Sequence, residues 1–163
     1  MEIRHAQSKD IADIIRVYRA AKEYMNATGN ATQWKDGYPS ETMACEDIAN
    51  EKLYVICEND VPHAVFYFAI EEEATYRKID HGAWKSDATY GVIHRVASDG
   101  RIRGVVEKCV SFCRGYIDNL RIDTHENNLP MQRALERVGF VRCGIVYLEN
   151  GDERIAYQLC KTE

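Results

Sequence analysis

The stretch Tyr90–Asp123 narrows the choice of fold more than any other part of the chain. It opens with YGVIHRVAS, which is apolar without a clean alternation of inward and outward residues. It then turns through DGRIRG, continues as a helix with Val105, Val106, Cys109, Phe112 and Cys113 on one face, and closes on LRID. A strand without alternation is buried on both faces, the habit of parallel pairing. Strand, helix and strand in that order make a parallel crossover, expected to be right-handed. A crossover of this kind needs a sheet covered by helices, so the flanking sequence must supply more of both.

The flanks supply them. EIRHA reads as a short strand. Ser8 is expected to cap a helix with Asp10 in its first turn, and Ile11, Ile14, Ile15, Tyr18 and Ala21 follow at helical spacing. NATGNATQWKDGYPS is loop, rich in Asn, Thr and Gly and holding Pro39. A second helix is expected after Ser40, running to Asn50. LYVICE and PHAVFYFAIEE form a hairpin around Asn59-Asp60, and a polar stretch from Glu72 to Ala88 follows. Met131, Ala134, Leu135 and Val138 mark a further helix, ended by Gly139. FVRCGIVYLE and RIAYQLC pair around NGD, an Asn-Gly hairpin signal. The order is β-α-α-β-β-β-α-β-α-β-β. It predicts one α/β (α+β) domain over 1–163, a central mixed sheet flanked by helices on both faces.

The formal net charge of −5 over 163 residues argues against a broad nucleic-acid surface, which needs a basic face. No apolar run is long enough for a membrane span, and MEIRHAQSKD has no signal-peptide core, so a cytoplasmic protein is expected. The six cysteines are then expected to stay reduced. They form no C-x-x-C pair, and Cys109 and Cys113, at i and i+4, read as helix packing. No metal site is expected.

Within the crossover, Arg101, Arg103 and Gly104 stand where a strand hands over to a helix. The first N–H groups of a helix lack internal partners and carry partial positive charge. Gly104 has no Cβ to keep a ligand away, and two guanidinium groups add charge-assisted donors. This suits a pyrophosphate; a solvated turn with two arginines is the alternative. Neither G-x-x-x-x-G-K-S/T nor G-x-G-x-x-G occurs, so two common nucleotide sites are excluded.

Arg101-Ile102-Arg103-Gly104-Val105-Val106 resembles the acyl-CoA motif Q/R-x-x-G-x-G/A of the GNAT family of N-acetyltransferases, with Val106 departing from the last position. ENNLPMQRALERVGF resembles the family's Asn followed by a helix closing in Gly-Phe. QWKDGYPS, HRVAS and RIDTHENN look like a bacterial subgroup with unassigned amine substrates. The resemblance implies acetyl-CoA as donor cosubstrate. It implies backbone N–H groups from Arg101, Ile102, Arg103, Gly104, Val105 and Val106 around its pyrophosphate, and Val96 and Ala97 backbone along its pantetheine. Asn128 would bond that arm and Arg133 would be a further phosphate contact.

Acetyl transfer also needs a deprotonated amine and a way for the thiolate to leave. Many family members place a Tyr acid four residues before the Gly of Gly-Phe; here that residue is Leu135. His94, on one strand face with Tyr90 and Val96 by alternation, is a base or water relay, or else a hydrogen-bonded core histidine. Asp123 and His125 follow LRID toward the end of the strands where ligands commonly sit. Tyr147 is a replacement acid or a packing residue. Trp34 and Tyr38 line the acceptor pocket by resemblance, or anchor their loop. No cysteine or serine has an evident activating partner, which favours direct attack.

The expected activity is therefore N-acetyl transfer to a primary amine of a small molecule or peptide. The alternatives are a catalytically inactive acyl-CoA-binding module and an unrelated phosphate-binding α/β protein. Pairing through the late strands into a homodimer is a further expectation from the resemblance.

Overall fold

The computed structural model describes residues 1–160; the expected domain's last three residues, 161–163, lie outside them. The strands are β1 Glu2–His5, β2 Leu53–Glu58, β3 Val61–Ile70, β4 Gly91–Ser98, β5 Leu120–Thr124, β6 Val141–Tyr147 and β7 Glu153–Leu159. The helices are α1 Ile11–Ala27, α2 Glu41–Ala49, α3 Val105–Arg114 and α4 Leu129–Arg137. The expected order of elements is the observed one. The strands form a seven-stranded sheet in the order β1-β2-β3-β4-β5-β7-β6. β4 and β5 pair in parallel, at Gly91↔Leu120 and Val92↔Arg121; β1–β2, β2–β3, β5–β7 and β6–β7 are antiparallel.

Contacts gather the chain into two compact units: Met1–Phe68 with His94–Val105, and Ala69–Ile93 with the chain from Val106 on. In the first unit, α1 buries Ile14, Val17, Tyr18, Ala21 and Met25, a stripe at helical spacing. The expected Ile11 and Ile15 sit at its half-buried margins, and Val17 takes their place. Asn59 and Asp60 both have positive φ, 53° and 62°, as a two-residue hairpin turn requires.

Ser8 is not the expected cap. A short 3-10 turn, Ser8–Asp10, precedes α1, and Asp10 Oδ2 accepts the Gln7 N–H at 2.8 Å. The same carboxylate takes both ends of the Arg4 guanidinium, at 2.7 and 2.9 Å, joining β1 to the start of α1. Asp10 is 3% exposed. Burial works to raise its pKa, but Arg4 and the Gln7 N–H outweigh it and hold the carboxyl below the usual range. A depressed folded pKa contributes stability that is complete above the unfolded value, about 3.9, and is lost as pH falls through the folded one. Denaturation midpoints should therefore fall steeply below about pH 4. Asp10→Asn should start less stable at neutral pH and show a shallower fall.

In the second unit, Cys109, Val110 and Cys113 are the buried face of α3, so the expected packing role of the two cysteines holds. Asn128 caps α4 through Oδ1, accepting the Met131 N–H at 3.2 Å. Gly139 ends the helix at φ 102°, and Phe140 N–H reaches back to Leu135 O at 3.0 Å.

The polar stretch between β3 and β4 is long for a loop with so little regular structure, and it is strapped down. Asp80 makes a two-way bridge with Ile145 of β6, at 2.9 and 2.8 Å. Gln158, fully buried, accepts the Lys85 N–H and donates to Ser86 O and Asn119 Oδ1. Trp84 Nε1 donates to Tyr76 O. Buried polar groups of this kind are costly unless satisfied, so the strap and its partners hold each other in place.

Candidate functional site

The turn after β4 is organised by two of its own side chains. Ser98 Oγ accepts the Gly100 N–H at 3.0 Å, and Asp99 Oδ1 accepts the Arg101 N–H at 2.9 Å. Gly100 and Gly104 sit at φ 87° and 67°, a region that favours glycine. Asp99 is more than a turn residue. Its Oδ2 accepts from Arg16 Nη1 at 2.9 Å and lies 2.7 Å from His63 Nδ1, while its N–H donates to His63 O. Burial works to raise the Asp99 carboxyl, but Arg16, His63 and the Arg101 N–H bring it below the usual range. Ile102 is buried and pins the middle of the loop, whereas Arg101, Arg103 and Gly104 are exposed. Arg101 lies 3.5 Å from Glu58, a loose pair that leaves the guanidinium at the surface. A rigid loop with outward cations, leading directly into α3, fits an anionic ligand. Sequence reasoning passed over His63, because nothing in PHAVF announces its partner more than thirty residues away.

Period-two alternation does not survive along β4. Arg95 has φ 51°, a left-handed conformation that costs a non-glycine residue roughly 1–2 kcal/mol. In consequence His94 and Arg95, though consecutive, both meet Tyr67: the His94 ring at 5.4 Å and the Arg95 guanidinium at 4.9 Å. The expectation that alternation puts His94 and Val96 on one face is corrected here, since an interrupted strand does not alternate. Arg95 is held by Asp47 at 2.5 Å. Burial works against its charge, and Tyr38 and Asp47 outweigh that. Tyr18 is buried beside it, its hydroxyl pushed up to about 12 by burial. Trp34 packs edge-on against Tyr18 and Tyr38, at 5.9 and 6.2 Å. Thus Trp34 and Tyr38, read from the loop, join His94 through Arg95. Trp34 is 5% exposed, so it anchors its loop, whereas Tyr38 is half-buried. Val96 is half-buried and Ala97 buried.

In the second unit, Asp123, His125 and Asn128 lie on one run from the end of β5 to the cap of α4. Asp123 Oδ2 accepts the hydroxyl of fully buried Tyr76 at 2.6 Å. His125 Nδ1 accepts the Asn127 N–H at 3.0 Å, and burial with nearby Arg154 lowers its pKa. The neutral ring therefore carries its proton on Nε2 and has no lone pair for another. Tyr147 donates to Asp80 at 2.8 Å, and that bond raises its pKa, so it is a weaker acid than a free tyrosine. Arg133 is exposed. Leu135 is fully buried among apolar neighbours of the core. Among the described residues no group of His, Cys, Asp or Glu is arranged to hold a metal ion, and no helix is long and apolar enough to cross a membrane.

Solved structures with this architecture are known. A GNAT-family acetyltransferase from Streptococcus agalactiae is 30% identical with a TM-score of 0.88, over 99% of this chain and 96% of that one. Two others share the fold. A GNAT-family acetyltransferase from Listeria monocytogenes is 17% identical with a TM-score of 0.69, over 96% and 92% of the two chains. The protein yncA from Salmonella typhimurium, solved with its cofactor acetyl-CoA, is 16% identical with a TM-score of 0.64, over 99% and 94%. No protein-family model matches the chain, and no curated protein does.

Proposed function

The chain belongs to the GNAT family of acetyltransferases, and from that premise we propose that it moves an acetyl group from acetyl-CoA to a primary amine of a small molecule or peptide by direct attack. Bound acetyl-CoA supplies a thioester whose acyl carbon an uncharged amine can attack. The residues present fit such a donor. Backbone N–H groups from Ile102 to Val106 hold the pyrophosphate, the Arg101 N–H being taken by Asp99, with the Arg101 and Arg103 side chains adding charge and Gly104 leaving room for close approach. Val96 and Ala97 backbone runs along the pantetheine, Asn128 bonds it, and Arg133 reaches a phosphate. Tyr38 faces the acceptor side, and buried Trp34 holds it there by their edge-on contact.

His94 takes the amine proton, directly or through a water. It is preferred over His125, whose accepting nitrogen is already used by Asn127. Asp123, held by the Tyr76 hydroxyl, has an orienting role. Direct attack is supported by the thiols. Cys57, Cys109 and Cys143 are buried and their pKa values raised, which makes them poor nucleophiles.

The observation that carries the proposal is the loop Ser98–Gly104, with exposed arginines and left-handed glycines, whose Gly100 and Arg101 N–H groups are held by Ser98 and Asp99. Calorimetric titration with acetyl-CoA tests it. The wild type is expected to bind near micromolar, about −8 kcal/mol, and Arg101→Glu at least about tenfold more weakly. Thiol release with a panel of amines then tests transfer. The buried Leu135, standing where many relatives have an acid, favours a second reading: a binding module without turnover. Donor binding with no thiol release from any amine would support that reading. A folded wild type that does not bind acetyl-CoA would sink both.

A further inference from the structure

A cavity of about 430 Å³ lies wholly within the second unit, under the strap between β3 and β4. Pockets of this size take small ligands. Its walls include Tyr76, Trp84 and Tyr90, each fixed by a polar bond. Tyr76 donates to Asp123, Trp84 Nε1 donates to Tyr76 O, and Tyr90 Oη accepts the Glu73 N–H. Between the Trp84 and Tyr90 rings lies the Arg121 guanidinium, 4.0 and 4.1 Å from their centroids.

Arg121 is an unusual wall residue. Its side chain is 5% exposed, and its nearest carboxylate is that of fully exposed Asp87, 3.8 Å away. Nη2 donates to Ser86 O at 2.7 Å. Nε is sealed from solvent with no partner. Nη1 makes no hydrogen bond to any described residue, yet it is not among the sealed atoms, so its donors open onto the cavity that Arg121 lines. A buried cation with spare donors, whose one ion-pair partner is loose and fully exposed, is costly unless something anionic meets it. The planar fork suits a carboxylate. A simple anion would nevertheless meet three lining carboxylates, Glu71, Glu72 and Asp87, against two arginines, Arg77 and Arg121. A ligand carrying both signs satisfies both sets.

We propose that this cavity binds a small ammonium carboxylate with an apolar side chain, in the manner of a free α-amino acid. Its carboxylate bonds Arg121 Nη1, its ammonium faces Asp87 and the neighbouring glutamates, and its side chain lies among the aromatic walls. The site is independent of the acyl-transfer proposal and stands or falls without it.

The chain has two tryptophans, so a Trp34→Phe background leaves Trp84 as the sole indole, inside the cavity wall. Its emission is titrated with L-phenylalanine, with 3-phenylpropionate, which lacks the ammonium, and with phenethylamine, which lacks the carboxylate. Saturable quenching or enhancement is expected with L-phenylalanine, and each analogue should bind at least about tenfold more weakly. Asp87→Asn alters an exposed residue and should fold normally. It should weaken L-phenylalanine about three- to fivefold and leave 3-phenylpropionate unchanged. Absence of saturation with L-phenylalanine overturns the proposal, as does equal binding of the three probes or an Asp87→Asn protein that binds L-phenylalanine as the wild type does.

Discussion

Replacing Gly82 with alanine is expected to destabilise the protein by about 3 kcal/mol, a fall of about 6–12 °C in the thermal midpoint for a chain of this size. A Cβ at Gly82 would stand 1.9 Å from the Cys143 carbonyl oxygen, and one at Gly144 would stand 2.5 Å from that of Asp80. Neither obstacle is a flexible side-chain end, so relief requires backbone to move. The backbone in question is the strap and the β6 strand it bridges, which is already bulged between Arg142 and Gly144. Gly144→Ala should therefore cost a similar amount, and the double variant should cost less than the sum, because either change alone lifts the same segment. Gly37→Ala is the control. Its φ is 78°, but nothing lies within 4 Å of an added Cβ, so only the conformational cost of about 1 kcal/mol is due. Equal losses for Gly37→Ala and Gly82→Ala, measured by urea denaturation, would show that the close approach is not what matters.

Asp99→Ala is the second large effect. One carboxylate there receives the Arg101 N–H, Arg16 and His63. Its side chain is 10% exposed, and the His63 bond is half-buried, whereas those from Arg16 and the Arg101 N–H lie at the surface. Removing all three should cost about 2–3 kcal/mol of stability, since charged hydrogen-bond partners are left behind. If the loop seats acetyl-CoA, donor affinity should drop on the order of tenfold, or about 1.4 kcal/mol, because the turn that presents the loop loses the carboxylate holding the Arg101 backbone. Arg16→Met removes one of the three partners and keeps the turn. It should cost less stability and leave donor affinity near that of the wild type. Calorimetry on both variants distinguishes an organised loop from a merely charged one: if Asp99→Ala binds acetyl-CoA as well as wild type, the preorganisation argument fails.

Most of the fold was readable because local signals agreed with one another. Hydrophobic spacing marked α1, α3 and α4. Asn59-Asp60 marked one hairpin, and the apolar YGVIHRVAS marked the strand that pairs in parallel. What escaped was long-range. Ser8 looked like a cap because Ser at that place commonly is one. Gln7 and Asp10 took the role because Arg4, on another element, already held the Asp10 carboxylate. The polar stretch from Glu72 to Ala88 looked featureless, since its order comes from Gln158, Asn119 and Ile145, all distant in sequence.

Within the candidate site, the arginine and glycine pattern of the loop was legible, and so were Trp34 and Tyr38. Arg95 was not, because period-two reasoning assumes a regular strand and a left-handed residue within one has no sequence signature outside Gly, Asn and Asp. His63 and Arg121 were equally invisible: each matters through a partner that only folding brings near.

The Asp80–Ile145 bridge has a meaning beyond the packing of the strap. β6 stands at one end of the sheet, and an outermost strand is a template on which another chain can continue the ladder. At Ile145 both backbone groups that would greet such a chain are taken by Asp80. Tyr147 ties the same segment down through its hydroxyl. A second copy could extend the sheet there only by first peeling away a segment that Gly82 and Gly144 allow to lie flush. Backbone pairing with a second copy is thus hindered at Ile145, which leaves side-chain contacts at this end and the opposite margin, β1, as the outermost strand without such a bridge among the described residues.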